Sequence, residues 1–306
     1  MNSGASEPVL VGLDWGTTSM RAYLIGAQGN VLDRLVAAEG IMQVPDGDFE
    51  AVFERLLAPW VTTHRVPLIA SGMITSRNGW LETPYLPVPS GSEQLSDALL
   101  SLRTAGDCLL HFVTGVTSNH NGAPDVMRGE ETQIAGAVED GLDEGIFVLP
   151  GTHSKWITVC GGRIVEFETF MSGEIYAALC AHTILGTLMN DSPFNDQGFR
   201  EGVAIGLDAG PKLLHTLFHV RTMPLFGRIS EDKVADYLSG ILIGSEIHGA
   251  TSNQVMDEPV TIIGRDDLSD RYAIALQVLG QHSVRAPDDI VARGHFAIAT
   301  SAGLLS

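Results

Sequence analysis

The sequence predicts an α/β chain built from two related domains, and three observations support this prediction. A unit of strand, Gly-Thr-x-Ser turn, strand, glycine turn and strand occurs at residues 9–37 and again at 146–170. Patterns typical of helices and of buried strands alternate along the rest of the chain. Its 306 residues suffice for two domains of ordinary size. Because duplicated supersecondary units indicate related domains, we expect domains at 1–142 and 143–306 with a ligand-binding cleft between them.

The first predicted domain continues from its three opening strands through alternating helices and strands. A helix at 48–64 carries an apolar stripe, with Asp46 or Asp48 as its N-cap and Pro59 as a kink or an end. Residues 71–91 are rich in glycine, proline and serine, which predicts a long loop of the kind that often carries function. The predicted strands are 9–13, 21–25, 31–37, 66–70 and 108–113, and the remaining helices are 93–102 and 129–139.

The second predicted domain repeats the three-stranded opening and then becomes mainly helical. Its predicted strands are 146–149, 155–160, 163–170 and 260–263. Helices are predicted at 173–189, 201–220, 231–249 and 269–280, with a last helix from Asp289.

The composition is that of a globular, acidic protein. Apolar residues make up 44% and charged residues 18% of the chain, which argues against disorder. The net charge is −19, from 37 acids and 18 bases. Nucleic acid is therefore a poor candidate partner, because phosphate backbones require clustered lysine and arginine. Any anionic ligand needs local counter-charge from a few placed cations, backbone N–H groups or Mg²⁺.

The cysteines and the N-terminus indicate a reduced, cytoplasmic protein. Cys108, Cys160 and Cys180 fit neither a disulfide framework nor a zinc site, so we expect reduced, buried thiols. The first eight residues contain no basic region and no apolar stretch, so no signal peptide is expected. No run of about 18 apolar residues occurs, so no membrane span is expected.

The two Gly-Thr-x-Ser turns are candidate phosphate sites. A glycine turn lets backbone N–H groups approach phosphate oxygens, and the Thr17 and Thr18 hydroxyls add donors. Asp14 ends the strand before the first turn and can hold Mg²⁺ directly or through water. One such turn is more often an ordinary hairpin, but a second copy favours phosphate binding from two sides. The residues assigned to the turns are Gly16, Thr17 and Thr18 in the first and Gly151, Thr152, His153, Ser154 and Lys155 in the second. The alternatives are that His153 is a turn histidine without a role and that Lys155 is a solvated strand residue.

This paired arrangement resembles the actin, hexokinase and Hsp70 superfamily, whose two domains are ribonuclease-H-like. The stretch 260–264 followed by a helix resembles the adenosine motif of that superfamily, with a single glycine, Gly264. Further stretches are similar to the 2-dehydro-3-deoxygalactonokinases, namely 13–22, 71–80 with Pro84 and Tyr85, 125–133, 149–156 and 170–174. The resemblance implies phosphorylation of 2-dehydro-3-deoxy-D-galactonate at its 6-hydroxyl, with ATP and Mg²⁺ as cofactors. It also places Arg21 and Gly264 at the nucleotide.

A kinase of this kind needs a group that takes the proton of the attacking hydroxyl. Glu131-Thr132-Gln133 matches in spacing the Asp-x-Gln that related sugar kinases often carry, with Glu replacing Asp. We favour Glu131 over Glu130 as the base. The alternative is that both glutamates form a solvated helix face.

An acidic substrate also needs a cation, and arginine can bind a carboxylate with two hydrogen bonds. Arg77 and Arg128 are the candidates, each of which could instead form a structural ion pair. Trp80 and Tyr85 could line the sugar pocket or pack the loop down. The resemblance adds further substrate residues: Ser71, Gly72, Met73, Ser172 and Glu174. Ser172 could equally be the N-cap of the helix that begins there.

Two other functions stay open at this point. One is phosphorylation of a different 2-keto-3-deoxy aldonate, and the other is a non-catalytic actin-like nucleotide switch. A switch needs neither a cation-bearing loop such as 71–85 nor a second carboxylate such as Glu131, so the kinase is favoured. The expected partners are ATP and a sugar acid, without nucleic acid or membrane, and a homodimer is an open alternative.

Overall fold

A computed structural model of the protein describes residues 7–120, 122–252 and 256–305. The chain divides into two compact units. The first comprises Met1–Glu144, Thr158–Phe167 and Asp289–Ser306, and the second comprises Gly145–Ile157 and Glu168–Asp288.

The first unit is built on a six-stranded sheet that begins with the predicted meander. Strands β1, β2 and β3 are antiparallel neighbours, and β1 also pairs in parallel with β4. The strand order is β3-β2-β1-β4-β7-β6. The bounds are β1 Pro8–Trp15, β2 Met20–Gly26, β3 Val31–Ala37, β4 Leu68–Ser71, β6 Leu100–Arg103 and β7 Leu109–Phe112.

Helix α1 (Phe49–His64) covers this sheet as its apolar stripe predicts. The Asp48 side chain accepts a hydrogen bond from the Ala51 N–H at 3.0 Å, which confirms Asp48 as the N-cap. Pro59 lies inside the helix, which continues to His64, so the proline does not end it. Phe49, Val52, Phe53 and Leu57 are buried against the strands and complete the core of the unit.

The rest of the first unit differs from the prediction in two places. The helix expected at 93–102 is wrong in its second half, because α2 (Ser92–Asp97) ends early and β6 pairs with β7. A three-stranded sheet in the order β5-β8-β9 was also missed. Its strands are β5 Tyr85–Pro87, β8 Gly115–His120 and β9 Ala123–Met127. Their short, partly polar sequences give little apolar periodicity to detect.

Two helices pack together beside the six-stranded sheet. Helix α3 (Glu130–Glu139) crosses α10 (Ile290–Ser301) where Gly136 and Gly294 meet the backbone of the opposite helix. A β-carbon at either glycine would collide with that backbone, so both glycines are required for this close crossing. The crossing fixes the start of α3, where the two candidate glutamates lie.

A five-stranded sheet has the strand order β12-β11-β10-β13-β14. Its strands are β10 Gly145–Leu149, β11 Ser154–Cys160, β12 Arg163–Phe170, β13 Val260–Ile262 and β14 Ser283–Arg285. Strands β10, β13 and β14 run parallel, with α9 following β13. The helices are α4 Ser172–His182, α5 Asp196–Ala209, α6 Leu213–Leu217, α7 His219–Leu225, α8 Val234–Thr251 and α9 Asp266–Leu279.

The predicted helix 201–220 is wrong as a single element. Helix α5 begins at Asp196, with Asn195 as its N-cap, and ends at Ala209. Gly210 has a φ of +44°, which a side chain rarely permits, and Pro211 follows it. The chain then resumes as the two short helices α6 and α7.

All three cysteines are free thiols, as expected, but they are not all buried. Cys160 is exposed, while Cys108 and Cys180 are partly buried. Among the described residues, no helix combines the length and the apolar character needed to cross a bilayer.

Candidate active site

In the first unit, the carboxyl ends of two parallel strands meet beside the first turn. β1 and β4 pair with Asp14 opposite Ser71, so Gly72, which follows β4, lies at the same edge. Gly72 has a φ of +90°, and a β-carbon there would lie 3.2 Å from Asp14 Oδ1 and 3.0 Å from the Trp15 carbonyl oxygen. A side chain at residue 72 would therefore crowd the Asp14 carboxylate.

Asp14 is partly buried and has one nearby cation. Its carboxylate lies 3.9 Å from the Arg21 guanidinium, its partner across β1 and β2. Burial raises the pKa of Asp14, and the charge of Arg21 opposes this rise. The ionised form of the Asp14 carboxylate is therefore unfavourable unless a further cation lies nearby. This property suits a metal ligand.

The first turn packs against neighbouring backbone while its two threonine side chains are exposed. The Gly16 N–H donates to the Ser19 carbonyl at 2.9 Å, and the Thr17 and Thr18 side chains are exposed. Gly40 packs against the backbone of Thr17 and Thr18, where a β-carbon would collide. Gly40 was not predicted as part of the site, since its only signal in the sequence is an isolated glycine in a stretch without periodicity.

Ser71 contacts a histidine that the sequence analysis did not assign to the site. The Ser71 Oγ lies 2.9 Å from His295 Nε2 on α10, and both side chains are fully buried. His295 Nδ1 has no hydrogen-bond partner in the described part of the chain and packs closely against Gly12 of β1. Burial lowers the pKa of His295 to about 3, so the ring is neutral at physiological pH.

The loop after β4 is anchored by its apolar residues. Trp80 is partly buried and packs against the core, with its ring centroid 5.7 Å from that of Phe53 and 6.0 Å from that of Phe112. Met73 packs against the same core and begins a 3₁₀ turn at Met73–Thr75. Trp80 therefore packs the loop down, which is the alternative that the sequence left open.

Arg128 holds the same loop from the other side. Its guanidinium donates to the Thr75 hydroxyl at 2.7 Å, to the Thr83 hydroxyl at 2.6 Å and to both backbone carbonyls of these residues. It also stacks over the Tyr85 ring at 4.3 Å from the centroid. Most of its donors are therefore used within the protein, and Arg128 acts on the shape of the loop.

Arg77, in contrast, is exposed at the tip of the loop. Within residues 7–120, 122–252 and 256–305, it makes no hydrogen bond or ion pair. The two arginine side chains that looked equivalent in the sequence therefore differ, since that of Arg77 is exposed and unpaired among the described residues while that of Arg128 is held within the protein.

The two candidate carboxyl groups begin α3 and are held differently. Glu131 is 1% exposed, and its carboxylate accepts from the Gly129 N–H at 2.7 Å and from the Thr132 hydroxyl at 3.0 Å. Burial and the neighbouring charge of Glu130 raise the pKa of Glu131 to about 8, although these hydrogen bonds act to lower it. Glu130 is partly exposed and accepts from the Arg128 N–H at 2.9 Å.

Gly129 connects this pair with the first turn. Its φ is +113°, and a β-carbon there would lie 3.1 Å from the Gly72 α-carbon. Gly72 in turn faces Asp14. The metal candidate and the base candidates are therefore close neighbours within one unit.

In the second unit, helix α4 begins directly against the second turn. Gly173 contacts the Gly151 carbonyl, and a side chain at residue 173 would collide with it. The Glu174 N–H donates to the Thr152 carbonyl at 3.0 Å, and its carboxylate lies 2.6 Å from His153 Nε2. Met171 occupies the N-cap position of α4, so Ser172 is the first residue of the helix and not its cap.

The second turn rests on a buried polar network that was not predicted. The Ser154 Oγ lies 2.8 Å from the Tyr272 hydroxyl, which donates to the Glu246 carboxylate at 2.7 Å. Trp156 Nε1 donates to the same carboxylate oxygen at 2.8 Å. Burial raises the pKa of Glu246, although these donors oppose the rise. The network ties the turn to α8 and α9.

Lys155 and Gly264 also lie near this turn. Lys155 is buried, and its Nζ donates to the Thr169 hydroxyl at 2.6 Å, so it is not a solvated strand residue. A β-carbon at Gly264 would lie 3.3 Å from Pro150 Cδ. The end of β13 therefore adjoins the end of β10, as expected for neighbouring parallel strands.

The first turn has the donor chemistry for a magnesium nucleotide. No cluster of three His, Cys, Asp or Glu side chains that could hold a metal ion occurs in the described part of the chain. A single carboxylate, Asp14, which no side chain at residue 72 crowds, fits Mg²⁺, because this ion commonly binds one or two carboxylates together with water and phosphate oxygens.

Comparisons with known proteins identify relatives along the whole chain. Residues 14–298 match the sequence profile of the family described as 2-keto-3-deoxy-galactonokinase. The 2-dehydro-3-deoxygalactonokinase of Escherichia coli is 31% identical over 271 residues, which are 88% of this chain and 90% of that protein. A crystal structure of a candidate 2-dehydro-3-deoxygalactonokinase from Sinorhizobium meliloti has a TM-score of 0.87 at 30% identity, covering 96% of this chain and 98% of that one.

More distant structures show the fold alone. A ligand-bound xylulose kinase from Lactobacillus acidophilus has a TM-score of 0.51 at 10% identity, with 96% of this chain and 89% of that one covered. The α/β fold is therefore that of the actin-like ATPases and sugar kinases, as the sequence predicted.

Proposed function

Because the chain belongs to the 2-keto-3-deoxy-galactonokinase family, we propose that it phosphorylates 2-dehydro-3-deoxy-D-galactonate at the 6-hydroxyl, with ATP as the phosphate donor. The observation that supports it most is the neighbourhood of Asp14, Gly72, Gly129 and Glu131 within the first unit. A metal-binding carboxylate and a proton-accepting carboxyl group are both needed for phosphoryl transfer to an alcohol, whereas a nucleotide switch needs only the first. The expected location is the cytoplasm, where ATP is available.

The nucleotide contacts are assigned to both turns. Exposed Thr17 and Thr18 hydroxyls and the N–H groups of the first turn donate to phosphate oxygens, and Arg21 adds positive charge near Asp14. Mg²⁺ held by Asp14 would neutralise phosphate charge during transfer. In the second unit, Gly151, Thr152 and His153 offer further donors, with Glu174 orienting the histidine.

Glu131 is the proposed general base, with Glu130 as its neighbour. A carboxyl group with a pKa of about 8 is a far stronger proton acceptor than an ordinary glutamate once it is ionised. Glu131 is 1% exposed, and the neighbouring Gly72 and Gly129 carry no side chain that would block the approach of the substrate hydroxyl. The Gly129 N–H and the Thr132 hydroxyl orient the carboxylate.

Arg77 is the proposed ligand of the substrate carboxylate. Its exposed guanidinium can donate two parallel hydrogen bonds to a carboxylate. Arg128, Tyr85 and Trp80 position the loop that carries Arg77, because each is held by contacts inside the first unit.

A turnover assay with a substrate panel tests this proposal. Purified protein with ATP and Mg²⁺ is given 2-dehydro-3-deoxy-D-galactonate, other 2-keto-3-deoxy aldonates and simple hexoses, and ADP release is followed by a coupled assay. Phosphorus NMR of the product identifies the esterified hydroxyl. We expect the highest kcat/KM for 2-dehydro-3-deoxy-D-galactonate and a 6-phosphate product.

The panel separates the proposal from its alternatives. A higher kcat/KM for another 2-keto-3-deoxy aldonate would replace the substrate but retain the reaction. ATP binding without turnover of any sugar acid would refute the kinase and favour a nucleotide switch. Glu131→Gln protein is the matched control, since it keeps the fold and should show ATP binding without sugar-dependent ADP release.

A further inference from the structure

Helix α10 contacts the surroundings of both proposed catalytic carboxyl groups through two successive residues, Gly294 and His295. A β-carbon at Gly294 would collide with the carbonyl oxygen of Thr132, which follows Glu131 in α3. His295 Nε2 lies 2.9 Å from the Ser71 Oγ at the end of β4. One short stretch of α10 therefore adjoins both the segment that carries the proposed base and the strand end beside the proposed metal ligand.

His295 packs on the face of the sheet that carries Asp14. Successive residues of a strand alternate between its faces, so Gly12 and Asp14 of β1 share one face. Ser71 lies on the same face, because it is the parallel partner of Asp14. A β-carbon at Gly12 would lie 2.5 Å from His295 Nδ1, so the imidazole fits against β1 only because residue 12 has no side chain.

Packing alone does not account for a histidine at this position. The neighbouring buried side chains of α10 are apolar, among them Val291, Ala292 and Ile298. His295 is fully buried, and its Nδ1 atom has no hydrogen-bond partner among residues 7–120, 122–252 and 256–305. A leucine would fill similar space without burying an unpaired polar atom, which costs free energy. The contact with Ser71 is therefore the property that distinguishes histidine from an apolar residue here.

The direction of this hydrogen bond follows from the unpaired nitrogen. A neutral imidazole carries one proton, on either Nδ1 or Nε2. A proton on Nδ1 would form a buried N–H without an acceptor, which folded proteins rarely contain. The proton is therefore assigned to Nε2, and His295 donates to the Ser71 Oγ.

The strand end that His295 holds lies between the two proposed carboxyl sites. Ser71 is followed by Gly72, where a β-carbon would lie 3.2 Å from Asp14 Oδ1. On its other side, the Gly72 α-carbon adjoins Gly129, whose N–H donates to the Glu131 carboxylate. A shift of β4 relative to α10 would move Gly72 and change the spacing of the two carboxyl groups. Phosphoryl transfer is sensitive to this spacing, because the metal and the base act on the same reacting groups.

We propose that His295 is a positioning residue for phosphoryl transfer, which holds the end of β4 against α10 and so sets the placement of Asp14 relative to Glu131. The proposal rests on the kinase reaction proposed above. The His295 side chain is fully buried, so it acts through Ser71 and not on the reacting atoms.

Steady-state kinetics of His295→Leu protein tests this role. We expect kcat to fall about 10- to 100-fold, because a small misplacement of reacting groups can cost this much. The KM values for ATP and for the sugar acid should stay close to those of the wild type, since His295 touches neither ligand. His295→Gln should retain most of the turnover, because its amide nitrogen can take the place of Nε2 and donate to Ser71.

Thr104→Val is the matched control, since it also removes a buried polar group of the first unit. The Thr104 hydroxyl accepts from the Cys108 N–H at 3.1 Å, in the turn that leads into β7. β7 runs parallel to β4, so this turn lies at the opposite edge of the sheet from Ser71. Turnover of Thr104→Val protein should equal that of the wild type.

A double-mutant cycle tests whether His295 and Ser71 act through one bond. The kcat of protein with both His295→Leu and Ser71→Ala should be no lower than that of His295→Leu protein. Fully additive losses would mean that the two side chains act independently, which overturns the proposal. If His295→Leu protein does not fold, Ser71→Ala removes the same bond and replaces it in every measurement.

Hydrogen–deuterium exchange gives a readout that does not depend on turnover. His295→Leu should speed amide exchange in peptides that cover residues 71–75 and 129–133, whereas Thr104→Val should not. A wild-type kcat in His295→Leu protein, or unchanged exchange in both peptides, would overturn the proposal. A wild-type protein that phosphorylates no sugar acid would instead refute the kinase, and exchange would then decide whether His295 holds these two segments.

Discussion

The two Gly-Thr-x-Ser turns share a sequence pattern but are supported in different ways. The first follows a strand that ends in Asp14, a charged side chain 3.9 Å from Arg21. At an offset of 135 residues, the second has Leu149 and Trp156 in these positions. Its support is instead the buried network of Ser154, Tyr272 and Glu246.

This difference indicates a division of roles between the two turns. The first turn lies beside the only carboxyl groups that we assign to chemistry, Asp14 and the Glu130–Glu131 pair. The second turn offers hydrogen-bond donors and is held by the buried network described above. We infer that the first unit carries the catalytic carboxyl groups and the sugar acid in addition to its nucleotide contacts, while the second unit contributes to nucleotide binding alone.

The largest effect is expected at Asp14. Asp14→Asn removes the carboxylate proposed for Mg²⁺, and kcat should fall by at least about 10³-fold, because metal stabilisation of transferring phosphate contributes several kcal/mol. The fold should survive, since burial already disfavours the charged form of Asp14. Steady-state kinetics across a Mg²⁺ series measures the loss. Asp97→Asn, an exposed aspartate of α2, is the control, and full activity of Asp14→Asn protein would remove Asp14 from the metal site.

The next largest effect is expected at Glu131. Glu131→Gln should lower kcat by about 10²-fold or more while ATP binding is kept, because a general base contributes this much. In wild-type protein, kcat/KM should rise with pH up to about 8, since the base must be deprotonated and its pKa is about 8. Rate profiles from pH 5 to 9 check both points.

Glu130→Gln is the informative control for this assignment. The charge of Glu130 raises the pKa of Glu131, so its removal should shift the rising limb to lower pH without abolishing it. If Glu130→Gln abolishes turnover and Glu131→Gln does not, Glu130 is the base.

Substitutions in the two units should affect different KM values, that for the sugar acid or that for ATP. Arg77→Ala should raise the KM for the sugar acid about 10- to 100-fold, the range for a lost charge-assisted hydrogen bond, with little change in the KM for ATP. Arg103→Ala, at another exposed arginine of the first unit, should change neither. Equal increases for both substrates would place Arg77 outside the sugar-acid site.

The smallest effect is expected in the network beneath the second turn. Tyr272→Phe removes the hydroxyl that joins Ser154 to Glu246, and the KM for ATP should rise about 3- to 10-fold, the range for one neutral hydrogen bond. Tyr237→Phe is matched, because Tyr237 is also buried but its hydroxyl makes no hydrogen bond to the described residues. A change in the KM for the sugar acid, with that for ATP unaltered, would contradict the division between the units.

Local patterns allowed much of the fold to be predicted. Both meanders, helix α1 with its Asp48 cap and the glycine turns follow from short-range periodicity and capping chemistry. The errors also have local causes. Gly210 and Pro211 interrupt an apolar pattern that otherwise runs through 201–220, and strand β6 exists because β7 pairs with it.

The candidate site was predictable in residue type but not in residue role. Arg77 and Arg128 look equivalent in the sequence, yet Arg128 is bound to Thr75 and Thr83, about 50 residues earlier in the chain. Trp80 was a candidate pocket residue, and the structure packs it against the core. Such roles depend on partners from other elements, which no local pattern specifies.

The sequence by itself determined the two three-stranded meanders, the two turns and the family, because each depends on residues close together in the chain or on motifs quoted directly from it. Only the tertiary structure decided which polar groups are buried together. Ser71 meets His295 across 224 residues, and Ser154 meets Tyr272 across 118. Burial of a polar group is favourable only when a partner satisfies it, and that partner is chosen by packing rather than by spacing along the chain.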